Sequence, residues 1–198
     1  EGGSGLSNPQ IWAILEDHEG ALWFGTNGSG LDRFDRQRGT WTNFPPNPED
    51  PDALQASWVL ALYEDSRGDV WAGTLGGGAS RYNRTTRTFT TLPDAGFVFD
   101  ILEDREGVLW LATGGGLAKL NASRTSFRLY SGTPDDPQSF ADNALMTLLE
   151  DSQGRFWVGS GSGGLALFDR QTGRVRRYQN DPQDPSSLSD NTVMSLLE

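Results

Sequence analysis

Four adjacent Glu-Asp pairs are the residues whose types could first suggest chemistry, because paired carboxylates can work as a general acid and base. Each pair opens an eleven-residue segment, and the four segments are near copies: EDHEGALWFGT (16–26), EDSRGDVWAGT (64–74), EDREGVLWLAT (103–113) and EDSQGRFWVGS (150–160). A catalytic site normally occurs once, whereas a scaffold element recurs in every copy. Neighbouring residues of a strand also point to opposite faces. We therefore interpret the pairs as structural.

The single histidine and the glycine-rich segments are the next candidates for chemistry. His18 occupies a variable turn position, where the other copies carry Ser66, Arg105 and Ser152, and no partner for catalysis or metal binding is suggested. A phosphate-binding loop requires Gly-Lys-Ser/Thr at the start of a helix. The segments GTNGSG, GTLGGG, ATGGG and GSGSGG are instead followed by strand residues, which predicts hairpin turns.

Composition excludes several classes of function and site. The chain has no cysteine, and its net charge of −11 disfavours binding to nucleic acid. The acidic linkers NPEDPD, TPDDPQ and NDPQDP lack the ligand pattern of a calcium loop, so we expect rigid turns there, with neither metal nor cofactor. No apolar run approaches the roughly 20 residues of a membrane helix. Both ends look cut, so any membrane attachment would come from segments outside this sequence.

The spacing of the repeat predicts the fold. The aspartates of the four copies are 48, 39 and 47 residues apart, and a glycine and a tryptophan follow each at fixed distances. Each copy divides into four short runs rich in β-branched and aromatic residues, separated by Asp- and Gly-rich turns. Four antiparallel strands in every 40–50 residues indicate one propeller blade per repeat.

The predicted fold is an all-β propeller segment of four complete four-stranded blades plus one inner strand. The short third link, TLPDAG, accounts for the 39-residue spacing. We place the four blades and the additional inner strand at residues 8–55, 56–95, 96–142, 143–190 and 191–198.

With these motifs together, the chain resembles the two-component regulator propeller repeat. The resemblance rests on I-L-E-D-x-x-G-x-L-W-x-G-T, on SGLDRFDRQRG and GGLALFDRQTG, and on the linker DPQDPSSLSDN. Proteins of this kind are extracytoplasmic sensor regions of bacterial hybrid histidine kinases and related signalling proteins. Their propellers usually have about seven blades, so the resemblance implies that this chain is a fragment of a larger propeller, on the periplasmic side of an inner-membrane receptor.

Candidate binding residues follow from the direction of the chain in a propeller. The link entering each inner strand opens onto one face of the ring, and the residues seven or eight before each repeat aspartate differ between blades, as ligand contacts should. Aromatic faces with amide groups suit a carbohydrate or another small polar ligand. A further candidate is Asp100, a carboxylate in an inner strand whose counterparts are Ala13, Ala61, Thr147 and Ser195. The rim candidates are Gln10, Trp58, Phe97, Asn143 and Asn191.

Three functions remain open from the sequence. The first is a non-catalytic sensor that binds a ligand at the channel face and biases a dimeric receptor. The second is a protein-interaction or dimerisation platform without a small ligand, in which Trp58 and Phe97 simply pack between blades. The third is a propeller-type lyase, which the single histidine and the absence of a unique acid-base cluster disfavour.

Overall fold

The computed structural model describes residues 5–133 and 135–198 and confirms an all-β architecture. Sixteen strands form four sheets, each of four strands, in the order of the sequence. Blade 1 contains β1 (Ile11–Glu16), β2 (Leu22–Thr26), β3 (Leu31–Asp35) and β4 (Thr40–Phe44). Blade 2 contains β5 (Val59–Glu64), β6 (Val70–Thr74), β7 (Ala79–Asn83) and β8 (Thr88–Leu92).

The second half of the chain repeats this order. Blade 3 contains β9 (Val98–Glu103), β10 (Leu109–Thr113), β11 (Gly116–Leu120) and β12 (Phe127–Tyr130). Blade 4 contains β13 (Leu145–Glu150), β14 (Phe156–Ser160), β15 (Leu165–Phe168) and β16 (Val175–Tyr178). The only helical element among the described residues is a 3₁₀ turn at Pro93–Ala95, and no helix there is long and apolar enough to cross a membrane.

The chain divides into two compact units, residues 1–98 and 99–198. Each unit has an aromatic core between its two blades. In the first unit the Trp23 ring lies 5.2 Å from the Tyr82 ring, and in the second the Trp110 ring lies 5.2 Å from the Phe156 ring. Trp23 and Trp110 therefore pack between the two blades of their units, and burial of such large rings contributes strongly to the stability of each unit.

Burial differs between the first and second strands of a blade. We expected the apolar first strands to be covered on both faces, yet β1 alternates between partly buried and exposed residues. The second strands β6 and β10 are buried at every position. A second strand lies inside its sheet, whereas a first strand is the edge of its sheet. The edge strands β5 and β13 are nevertheless more buried than β1, because each packs against the preceding blade of its unit.

Residues 191–198, where the sequence predicts a further inner strand, form no ladder in the structure, since a ladder needs a neighbouring strand. They still contact blade 4. The Val193 N–H donates to the Ser160 carbonyl at 2.9 Å, and Glu198 accepts the Ser152 N–H at 2.6 Å. Isolated hydrogen bonds, rather than a ladder, thus hold this segment against blade 4.

Candidate functional site

The aspartate of each Glu-Asp pair organises the turn that follows it. In the first copy, Asp17 Oδ1 accepts the N–H groups of Glu19 and Ala21, and Oδ2 accepts the Trp23 indole N–H at 2.7 Å. The same indole bond is 2.7–2.8 Å long in the other three copies. All four aspartates are buried. Each therefore acts as a scaffold residue that joins the turn to the tryptophan of its own blade.

The hydrogen bonds at Asp17 also determine its ionisation. Burial raises the pKa of Asp17, but the Trp23 indole, the Ala21 N–H and the Arg84 guanidinium outweigh burial, and the net pKa lies below the ordinary aspartate value. A carboxylate held ionised by fixed donors is a poor general acid, which agrees with the structural interpretation of the pairs.

Two of the four glutamates, Glu64 and Glu150, have a different role, because each reaches the preceding blade of its own unit. Glu64 accepts the His18 N–H at 2.7 Å, and Glu150 accepts the Arg105 N–H at 2.8 Å. His18 also contacts Glu64 through its ring. An arginine completes each contact: Arg84 bridges Asp17 and Glu64 at 3.0 and 2.8 Å, and Arg170 bridges Asp104 and Glu150 at the same distances.

Sequence reasoning missed these arginines and a second group of residues, the hydroxyls that end the second strands. The Thr26 hydroxyl donates to the Gly30 carbonyl at 2.8 Å and accepts the Ser29 N–H at 3.1 Å. Thr74, Thr113 and Ser160 make the equivalent carbonyl bond in their own loops. A hydroxyl recurs at the last position of all four segments, and this recurrence was the signal that could have revealed the hydroxyl–carbonyl bond.

In the first unit, the predicted rim residues lie on the glycine-rich loops. Gln10 accepts the Asn27 N–H at 3.0 Å and the Asn27 side-chain amide at 2.5 Å. Asn27 also forms a bridge with Trp58. The structure therefore brings Gln10 and Trp58 together at the loop of blade 1.

Two glycines make room for exposed aromatic rings. A Cβ added at Gly28 would lie 3.5 Å from the Trp58 indole nitrogen, and one added at Gly76 would lie 3.2 Å from the Phe97 ring. Both glycines have positive φ, 97° and 93°, so they meet a turn requirement and a packing requirement together. Trp58 is 41% exposed and Phe97 is 50% exposed. Each ring thus has one side against a loop and another side open.

In the second unit, Asn143 and Asn191 hold the linkers that precede their strands. Asn143 Oδ1 accepts the Gly132 N–H at 2.5 Å, and Asn191 Oδ1 accepts the Asn180 N–H at 2.7 Å. Each bond joins two residues eleven positions apart and so holds the two ends of a linker together. The two asparagines therefore share a structural contact that the sequence alone did not indicate.

Asp100 joins the inner strands of blades 3 and 4. Its Oδ2 accepts the Leu148 N–H at 2.7 Å, and its Oδ1 accepts the Ile101 N–H at 2.8 Å. Burial is the largest influence on its ionisation and raises the pKa of Asp100 above the ordinary value, against the hydrogen bonds from Leu148, Ile101 and the Thr147 hydroxyl. The N–H groups of Leu148 and Ile101 are thus the hydrogen-bond partners that a carboxylate in an inner strand requires.

The described residues contain no group of three or more His, Cys, Asp or Glu side chains placed to hold a metal ion. What the rim in the first unit offers instead is aromatic surface beside amide groups. Such an arrangement binds neutral polar molecules by stacking and hydrogen bonding.

Comparison with known proteins places the repeat in a family. The sequence profile described as "Two component regulator propeller" matches residues 5–28, 53–76, 91–115 and 139–162, one match in each repeat. The chain belongs to the two-component regulator propeller family. No curated protein matches the chain in a sequence search.

Solved structures of several proteins share the fold. The extracellular domain of a putative one component system from B. thetaiotaomicron is 23% identical, with a TM-score of 0.69 over 89% of this chain and 22% of its own. That of a putative hybrid two component system from the same organism is 21% identical, with a TM-score of 0.68 over 96% of this chain and 27% of its own. The present chain thus spans about a quarter of the length of each of these two structures.

A virginiamycin B lyase from Staphylococcus aureus is 16% identical, with a TM-score of 0.65 over 89% of this chain and 59% of its own. Identity at this level indicates a common fold only. The propeller architecture of the family is therefore shared with an enzyme, and the fold by itself does not decide between binding and catalysis.

Proposed function

We propose that this chain is a ligand-sensing propeller region of a two-component or related signalling receptor and acts by binding rather than by catalysis. The observation that carries the proposal is the exposed Trp58 ring resting on Gly28 beside the Gln10–Asn27 pair. Phe97 repeats this position on the next loop with a different aromatic residue. A rim that keeps its position but changes its side chains between blades suits selective recognition.

The ligand that this rim would suit is a neutral carbohydrate or a similar polar molecule. Sugar rings present apolar faces that stack on indole and phenyl rings, while amides bond to their hydroxyls. Asn143 and Asn191 already use Oδ1 to close their linkers, and Asp100 uses both oxygens. In this proposal they are secondary to Trp58 and Phe97.

The location and signalling role come from the family. We propose that the chain lies on the extracytoplasmic side of a bacterial inner-membrane receptor, as the extracellular domains of the two B. thetaiotaomicron proteins suggest. Ligand binding would favour one geometry of a dimeric receptor over another and so change the activity of an output domain.

Calorimetric titration of the full-length protein with a panel of neutral oligosaccharides tests this proposal. We expect one class of oligosaccharide to bind, and Trp58→Ala and Phe97→Ala each to weaken its Kd by about tenfold or more, the effect of losing a central aromatic contact. Trp12→Ala is the matched control, because Trp12 is a 58% exposed tryptophan of the same unit that lies on β1 rather than on a loop. Equal effects of all three substitutions would contradict a rim site.

A second candidate function, an interaction platform, is favoured by the exposed face of β1. Trp12 and Ile14 lie two residues apart on this strand and are 58% and 65% exposed. Neighbouring large apolar side chains on a sheet face are typical of protein contacts. If no oligosaccharide binds, and if Trp12→Ser with Ile14→Thr abolishes dimerisation in sedimentation equilibrium, the platform function replaces the sensor.

A further inference from the structure

A pocket of about 750 Å³ lies between blades 3 and 4 of the second unit, at the end of the blades that carries the Asp-x-x-Gly turns. Its walls include Asp104 and Trp110 from blade 3, and Phe168 and Val175 from blade 4. This volume accommodates a small organic molecule. Asn143 lies before the opposite end of β13, so the pocket is separate from the predicted rim.

A small residue of blade 4, Val175, lines the pocket at a position where blade 2 carries a large one. Val175 pairs with Phe168 as Phe89 pairs with Tyr82, and the two N–H groups bond to equivalent linker carbonyls at 2.8 and 2.7 Å. In the first unit the Phe89 ring fills the interface, 5.4 Å from the Phe44 ring and 5.2 Å from the Tyr82 ring. Valine leaves the corresponding volume open.

The pocket is cationic in a strongly acidic chain. Five basic residues and three acidic residues line it, a difference of two positive charges, whereas the whole chain carries −11. The basic residues are Lys119, Arg155, Arg170, Arg174 and Arg176, and the acidic residues are Asp104, Glu106 and Asp169.

Two of the basic residues are already paired. Arg170 pairs with Asp104 and Glu150, and Arg155 pairs with Asp151 at 2.5 Å. The other three have no carboxylate within 4 Å in the part of the chain that the structure describes. Instead, the Lys119 ammonium lies 5.2 Å above the Trp110 ring, and the Arg176 guanidinium lies 5.1 Å from the Tyr178 ring. The cationic groups of Lys119, Arg174 and Arg176 therefore have hydrogen-bond donors that could bind an anion.

The acidic residues offset only part of this charge, and Asp169 interacts electrostatically with Arg174 without an ion pair within 4 Å. Asp104 is occupied by the Trp110 indole and Arg170. Asp169 accepts the Gln171 N–H and the Thr172 hydroxyl in its own turn. Glu106 is exposed on the Asp-x-x-Gly turn, and it is the one lining carboxylate to which the structure gives no side-chain bond within the described residues.

The first unit is an internal control for these positions. Lys119 faces Trp110 across the ladder as Arg33 faces Trp23, but Arg33 pairs with Glu19 at 3.5 Å. The positions of Arg174 and Arg176 are occupied by threonines in blade 2, Thr88 and Thr90. The fold forms there without unpaired cations, so the repeat itself does not require them.

We propose that this pocket, between the turn ends of blades 3 and 4, binds a small organic anion through its carboxylate or phosphate group. Lys119 and Arg174 supply charge-assisted hydrogen bonds to the oxyanion, and the space left by Val175 holds the remainder of the molecule. An acidic sugar and a sugar phosphate share this chemistry. The site is independent of the carbohydrate rim proposed above, and either site can exist without the other.

Calorimetric titration of the full-length protein with matched probes tests the proposal. Galacturonate and glucose 6-phosphate are compared with their neutral parents, galactose and glucose, at constant ionic strength. We expect at least one of the acids to bind about tenfold or more tightly than its parent, with an affinity that falls as salt increases. The probe that binds more tightly, galacturonate or glucose 6-phosphate, shows whether the site prefers a carboxylate or a phosphate group. Equal binding of acids and parents, or no binding of either acid, would overturn the proposal.

Substitutions taken from blade 2 locate the site without disturbing the repeat. Val175→Phe should fill the pocket, and Arg174→Thr with Arg176→Thr should remove donors; each variant should weaken binding of the acid about tenfold or more. Arg128→Thr is the matched control, because Arg128 is an exposed cation of blade 3 that does not line the pocket. Wild-type affinity in both blade-2-like variants, with circular dichroism unchanged, would overturn the location.

Discussion

At the scale of single residues, the repeat aspartate explains why the same letters return in every copy. One carboxylate satisfies two backbone N–H groups and one indole N–H, all inside a turn that would otherwise bury unpaired donors. The sequence predicted this scaffold role from recurrence. It did not predict the indole as a partner, because a spacing of six residues does not show which side chains meet.

Asp104→Ala tests this role. Loss of the carboxylate leaves the buried Trp110 indole and the part-buried N–H groups of Glu106 and Val108 without an acceptor, so we expect the free energy of unfolding to fall by roughly 3–5 kcal/mol. Urea denaturation measures the change. Asp169→Ala is the control, because Asp169 is exposed and bonds only within its own turn; a loss as large as that of Asp104→Ala would contradict the account.

Asp100 gives the stability a recognisable pH dependence. Its raised pKa means that the folded state favours the protonated carboxyl, so its contribution is complete below the unfolded pKa of about 4 and is lost as pH rises through the folded pKa. Asp100→Asn stays neutral throughout. We therefore expect the stability of the variant relative to the wild type to increase between about pH 4 and pH 8.

Urea denaturation at several pH values measures this difference. Asp169→Asn is the matched control, because hydrogen bonds from the Thr172 hydroxyl and the turn N–H groups lower the pKa of Asp169, and its titration falls below this window. A difference for Asp100→Asn that is constant with pH would show that folding does not raise the pKa of Asp100.

At the scale of elements, Glu64 and Glu150 couple neighbouring blades, while each repeat aspartate first stabilises the turn and tryptophan of its own blade. Glu150 in blade 4 accepts a backbone N–H of Arg105 in blade 3, and Arg170 ties the same glutamate to Asp104. The adjacent glutamate and aspartate of a pair can thus act at two levels, one between blades and the other within a blade. Alternation along a strand explains this division, since neighbouring side chains leave opposite faces.

Glu150→Ala should weaken the contact between blades 3 and 4. It removes the acceptor of one N–H and one arm of Arg170, with the Glu150 side chain only 6% exposed, and we expect a loss of about 2–4 kcal/mol in the free energy of unfolding. Urea denaturation followed by tryptophan fluorescence measures it. Glu106→Ala, an exposed glutamate of the same unit, should change stability by less than about 0.5 kcal/mol. Similar losses for the two variants would contradict a coupling role.

At the scale of the whole molecule, the repeat period was sufficient to predict four blades and their strand order, because hairpin connections keep sequence neighbours adjacent in space. The site was less predictable. The positions of Trp58 and Phe97 followed from chain direction, but the linker bonds of Asn143 and Asn191 depend on loop conformations that no periodic pattern specifies. The pocket beside Val175 became visible only when the strand registers aligned it with Phe89.

Family membership gives these observations a biological setting, since the chain is a two-component regulator propeller. We propose that ligands of this chain bind at the rim formed by the loops of the first unit. Trp58 and Phe97 are large exposed rings with fixed supports, which lowers the entropic cost of binding.

Hydrogen exchange of the full-length protein, with and without the oligosaccharide that binds most tightly, tests this claim most directly. We expect slower exchange of the amides of Asn27, Gly28, Leu75 and Gly76, which lie beneath or beside Trp58 and Phe97, and no change in the outer strands β4 and β8. Protection confined to the outer strands, or unchanged exchange at these loops in the presence of saturating ligand, would contradict the rim as the sensing site.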